Sequence, residues 1–83
     1  MYKVVFTAKA RKQLVELPRP VAKRIVEKVE ELAMDPFSQD IKKLAGMAFY
    51  RLRVGDYRII FDMKNDELLV LIIKVGHRKE IYK

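Results

Sequence analysis

Apolar and polar positions alternate along this chain with two different periods, and the switch between them lays out its elements. Tyr2-Lys3-Val4-Val5-Phe6 alternates and is β-branched at its centre, which predicts a short opening strand. Thr7 is placed to cap a helix through Ala8–Leu17, and Pro18 stops it. Pro20 suits the first turn of a second helix, where Val21, Ile25, Val29 and Leu32 recur as one apolar stripe. Asp35-Pro36 ends that helix, because the residue before a proline is pushed away from α geometry. Phe37 to Met47 reads as a connector. The period then falls to two, and three strands follow at about Ala48–Val54, Tyr57–Met63 and Glu67–Val75. Gly55-Asp56 joins the first pair and Asn65-Asp66 the second. The predicted order is β-α-α-β-β-β. It implies a small α+β fold, a helical hairpin packed on one face of a mainly antiparallel four-stranded sheet. Residues 1–83 read as a single domain without repeats, low-complexity segments or an interdomain linker.

The hairpin Tyr50-Arg51-Leu52-Arg53-Val54-Gly55-Asp56-Tyr57-Arg58-Ile59-Ile60-Phe61 holds the most information. If Gly55 and Asp56 form a two-residue loop, Val54 lies opposite Tyr57 and Arg53 opposite Arg58. Tyr50, Leu52 and Val54 then share one face with Tyr57, Ile59 and Phe61, and that face packs on the helices. The opposite face carries Arg51, Arg53 and Arg58 and stays open. Like charges facing each other across a ladder are destabilising, and Arg51 stands only roughly 7 Å along the strand from Arg53. Such a cluster makes poor structural sense alone and good sense if a polyanion sits against it.

Composition narrows the chemistry. A 51% hydrophobic share with four Phe and four Tyr belongs to a folded chain, and the net charge is +7. Residues 41–83 carry ten Lys/Arg against five Asp/Glu, whereas residues 1–40 carry eight against six. The surplus therefore lies in the strand-rich half and points to an anionic partner. The bland alternative is a solubilising basic surface. With no cysteine and one histidine, His77, neither a thiolate nor a His-rich metal site can be built, and no cofactor or metal is expected. The one serine, Ser38, has no histidine near it in sequence, and three scattered glycines make no phosphate loop. Asp56, Asp62, Asp66 and Glu67 sit on or beside turns, where turn formation explains them better than metal binding. No apolar run is long enough to span a bilayer and no secretory signal is read, so a cytoplasmic protein with no membrane partner is expected.

What remains is arginine, lysine, tyrosine and one histidine. These groups can cleave RNA without metal, because the ribose 2′-hydroxyl is an internal nucleophile. Such an enzyme must align it in line with the phosphorus, stabilise the phosphorane and protonate the leaving 5′-oxygen. Arginines suit the second task through permanently charged, bidentate contacts but accept protons poorly. The final segment, Lys74-Val75-Gly76-His77-Arg78-Lys79-Glu80-Ile81-Tyr82-Lys83, supplies more of the same types. Gly76 is expected to break the strand, letting His77, Arg78 and Tyr82 curl towards the open face. A frayed basic tail is the plainer reading of such an ending.

The hairpin at 50–61, together with Val75-Gly76-His77-Arg78-Lys79-Glu80-Ile81-Tyr82, resembles the RelE/ParE superfamily of toxin–antitoxin toxins. Leu44-Ala45-Gly46 and the Pro-Phe step at 36–37 extend the likeness over the whole chain, which is most similar to the RelE branch. That resemblance implies a ribosome-dependent mRNA endonuclease that cuts mRNA in the ribosomal A site and is neutralised by a RelB-like antitoxin, acidic or amphipathic. It implies catalytic roles for Arg51, Arg53, Arg58, Arg78 and Tyr82. His77 joins them as the one side chain of a type that ordinarily titrates near neutrality. Lys42, Lys43, Lys74 and Lys79 are expected to bind the RNA backbone. Arginine stands at 51 and 53 where some members have lysine, which keeps the charge and weakens any role in proton transfer. The competing functions are a ParE-like inhibitor of DNA gyrase and a non-catalytic RNA-binding module.

Overall fold

The two ends of the chain pair with each other. Lys3–Phe6 (β1) runs parallel to the last strand, Leu69–His77 (β5), with Lys3 opposite Leu69 and Phe6 opposite Ile72. Between them come helices Ala8–Val15 (α1) and Arg19–Met34 (α2), then strands Ile41–Lys43 (β2), Tyr50–Val54 (β3) and Tyr57–Lys64 (β4), and a short helix Arg78–Ile81 (α3) follows β5. The computed structural model describes residues 1–36, 41–44, 46 and 48–81, with the backbone alone for Glu80 and Ile81. The described strands form one five-stranded sheet in the order β1-β5-β4-β3-β2, antiparallel except where β1 meets β5. The helical hairpin carries the chain from one sheet edge to the other, and the meander then walks back.

Local chemistry explains the elements. The Thr7 hydroxyl accepts the Ala10 N–H at 3.1 Å and caps α1, as its position before the helix predicts. Pro20 occupies the first turn of α2, where a missing N–H costs nothing. Ile25, Val29 and Leu32 of the expected stripe are buried, and with Ala10 they meet Leu52, Val54, Ile59, Phe61, Val70, Ile72 and Val75 from the sheet. Tyr50 stacks on Phe61 across the hairpin with ring centroids 5.5 Å apart. The hairpin register is the expected one, Val54 opposite Tyr57 and Arg53 opposite Arg58. Positive φ falls on Gly55 alone of the two loop residues, as a type II′ turn requires.

Four features depart from the sequence reading. The connector contains a strand, β2, because Ile41-Lys42-Lys43 adds to the free edge of β3. Gly76 does not break the last strand; it pairs with Arg58, and β5 runs on to His77. Within β5 the pairing slips by one residue at Ile60/Phe61, so β5 carries an inserted residue, Ile73. The expected first helix also ends sooner, at Val15.

Candidate nucleic-acid interface

Cross-strand rows define the sheet face opposite the helices. One row reads Lys42, Arg51, Ile60, Lys74 across β2, β3, β4 and β5; the next reads Arg53, Arg58, Gly76. Directly opposed Cβ atoms in such rows stand roughly 5 Å apart, so these cations form one continuous patch. Ile60 sits in its middle, only 8% exposed yet outside the core cluster. Gly76 presents no side chain beside Arg58.

Arg58 folds back on the hairpin tip: one terminal nitrogen donates to the carbonyls of Gly55 at 2.9 Å and Tyr57 at 3.0 Å. Its Nε, and that of Arg51, are buried and without a hydrogen-bond partner among the described residues. A buried charged group with an unpaired donor is costly by about 1–3 kcal/mol. Swinging either side chain outward onto an anionic oxygen relieves that cost. The face carries no carboxylate in either arginine row. Asp62 lies further along β4 and is paired with Lys64 at 3.4 Å. The face is therefore rich in donors and poor in proton acceptors.

The remaining candidates fall elsewhere. The backbone N–H of Arg78 donates to the Asp56 carbonyl at 2.9 Å, tying the start of α3 to the hairpin turn, and its side chain is exposed. His77 does not curl towards the open face. It stands opposite Tyr57, in the row of buried Val54, and its ring meets the Tyr57 ring edge-on at 5.5 Å. Its Nδ1 accepts the Lys79 N–H at 3.2 Å, which leaves Nε2 as the protonated nitrogen of the neutral ring. Lys43 pairs with Tyr50 and so stands on the other side of β2 from Lys42. Lys79 is exposed on α3. Tyr82 lies outside the described residues. No group of three or more His, Cys, Asp or Glu that could hold a metal occurs among the described residues. Reading the sequence missed that Lys42 shares a row with Arg51, because a three-residue strand has no period to detect.

Comparison with known proteins meets this geometry at family level. The sequence model of the ParE toxin of type II toxin–antitoxin systems (parDE) matches residues 4–82. The chain belongs to the RelE/ParE toxin family. Among curated relatives of this RelE/ParE-family toxin, it is 36% identical to toxin RelE3 of Methanocaldococcus jannaschii, over 96% of this chain and 94% of that protein. It is 31% identical to toxin RelG of Mycobacterium tuberculosis, over 99% and 97%. Its fold superposes on the RelE–RelB complex of Pyrococcus horikoshii with a TM-score of 0.81 at 29% identity, covering 95% of this chain and 97% of that one. The isolated E. coli RelE toxin gives 0.79 at 26% identity, covering 99% and 92%. The toxin thus has the RelE-like fold that its hairpin and terminal motif resemble, with five strands.

Proposed function

We propose that this toxin is a ribosome-dependent endoribonuclease that cleaves mRNA in the ribosomal A site and so stops translation. The observation that carries the reading is the arginine face itself: Arg51, Arg53 and Arg58 stand together with Lys42 and Lys74 on the sheet face away from the helices. In the proposed reaction the ribose 2′-oxygen attacks the adjacent phosphorus in line. The 2′-hydroxyl gives up its proton to solvent, the bond to the 5′-oxygen breaks and that oxygen takes a proton from solvent, leaving a 2′,3′-cyclic phosphate and a 5′-hydroxyl. Arg58 and Arg78 carry the phosphorane charge, while Arg51 and Arg53 dock the strand. Tyr82 stacks on a base of the codon. Lys42, Lys74 and Lys79 contact backbone phosphates; Lys43, on the other side of its strand, contributes least. The shortage of proton acceptors explains the ribosome requirement, since alignment of the substrate must come from outside the protein.

The relatives solved as RelBE or RelE–RelB complexes support a RelB-like antitoxin as the partner of this toxin. A helix-free sheet face with this charge fits an acidic or amphipathic segment. A second reading, inhibition of DNA gyrase, is favoured by the ParE description of the matching family model. Primer extension on an mRNA, with and without translating ribosomes, beside a gyrase supercoiling assay, separates the two. Cuts confined to translated mRNA are expected. Inhibited supercoiling with intact mRNA would overturn the reading in favour of gyrase.

A further inference from the structure

Lys74 lies on the basic face because the alternation of β5 restarts after a bulge at Ile73. Ile72 and Val75 both point into the core, at 0% and 1% exposure, although strict alternation places residues three apart on opposite faces. Ile73 is the inserted residue, and it shifts every later side chain to the other face. Strict alternation counted from Ile72 would turn Lys74 towards the helices; because Ile73 is taken up in the bulge, the alternation restarts and Lys74 pairs with Ile60.

The bulge lies where β5 loses a neighbour. β1 ends at Phe6, opposite Ile72, so beyond Ile72 no strand among the described residues lies along the outer edge of β5. α1 and its cap take the strand's place. The Thr7 N–H donates to the Ile72 carbonyl at 3.0 Å, and the Thr7 hydroxyl donates to the Ile73 carbonyl at 3.2 Å. Two turns into the helix, Gln13 Oε1 accepts the Val75 N–H at 2.8 Å. Buried Ala10 lets the helix lie close enough for both contacts. Two side chains on one helix thus hold the backbone groups on either side of Lys74.

We propose that Thr7 and Gln13 are positioning residues for RNA binding: they clamp the bulge at Ile73 and so set Lys74 at the end of the row of Arg51 and next to the row of Arg58, where its ammonium contacts an RNA phosphate. This rests on the ribonuclease reading above. Thr7 also caps α1, so Gln13 is the cleaner site to test.

The experiment measures the affinity of the toxin for ribosomes translating a defined mRNA, across ionic strength, for wild type, Lys74→Gln, Gln13→Leu, Gln13→Asn, Gln13→Glu and the Gln13→Leu/Lys74→Gln pair. Losing one phosphate contact should lower the salt slope by about 0.7 and weaken binding about fourfold near physiological salt. Lys74→Gln should show that loss. Gln13→Leu and Gln13→Asn, which remove or shorten the acceptor, should reproduce most of it, while Gln13→Glu keeps the acceptor and restores binding. The pair should bind no worse than Lys74→Gln alone, because Gln13 acts through Lys74. Thermal unfolding identifies any variant that fails to fold, and either of the two Gln13 truncations suffices. Wild-type cutting with Lys74→Gln binding like wild type, or Gln13 and Lys74 losses that simply add, overturns the inference alone. A wild type that neither binds ribosomes nor cuts defeats the proposed function, and the inference with it.

Discussion

Arg58 is the residue on which structure and chemistry meet most closely. Its guanidinium is held by two backbone carbonyls at the hairpin tip while its Nε stays unpartnered, an arrangement that an anionic oxygen improves. Arg58→Ala and Arg78→Ala should each lower cleavage on the order of a hundredfold, the effect of losing one preorganised charge contact worth ~3 kcal/mol at a transition state. Arg78 is exposed and Arg58, though half-buried, lies outside the core cluster, so thermal unfolding should show stability changed by less than about 1 kcal/mol. An Arg58→Ala protein that unfolds would identify a structural arginine instead. His77 is spent on the Tyr57 ring and the Lys79 N–H, away from the arginine rows, so His77→Ala should cost less activity than Arg78→Ala. At Tyr82, Phe keeps the ring and removes the hydroxyl. Tyr82→Phe should retain more cleavage than Tyr82→Ala; equal, near-complete loss in both would assign acid–base work to the phenol.

At the scale of elements, the turns decide what can be read in advance. Gly55-Asp56 fixes the β3–β4 register, so the opposition of Arg53 and Arg58 is legible from sequence. The apolar run Leu68–Ile73 carries no period, and the inserted Ile73 is invisible in it. The bulge there restarts the alternation, which leaves Lys74 on the basic face, where RNA binding was expected of it, and His77 off that face, against expectation. Leu68, between β4 and β5, holds a left-handed backbone at φ 49° with its side chain 51% exposed. A branched residue pays about 1 kcal/mol there, which glycine avoids. Leu68→Gly should therefore raise the melting temperature by about 4–8 °C in a domain of this size, measured by thermal unfolding. A lower melting temperature would mean that the half of Leu68 still covered matters more than its strain.

For the whole molecule, the organising fact is a sheet with helices on one side and cations on the other. The core residues come from α1, α2 and the inward rows of β3, β4 and β5, so the basic rows can change without touching the core. Partner binding should reflect the same division. An antitoxin segment that lies on the basic face should associate more slowly as salt rises, while its dissociation, governed by apolar burial, changes less. Association and dissociation rates against ionic strength, measured with the antitoxin from the native operon, test this directly. A toxin that is harmless and partnerless on expression would count against the toxin assignment's application to this chain.

The central claim is that the arginine face cuts mRNA only inside the ribosome. Primer extension on one mRNA, translated or naked, with wild-type toxin and Arg58→Ala, tests it most directly. The account predicts codon-associated cuts by wild type on translated mRNA, none on naked RNA, and near-complete loss with Arg58→Ala. Efficient cutting of naked RNA, or undiminished cutting by Arg58→Ala, would contradict it.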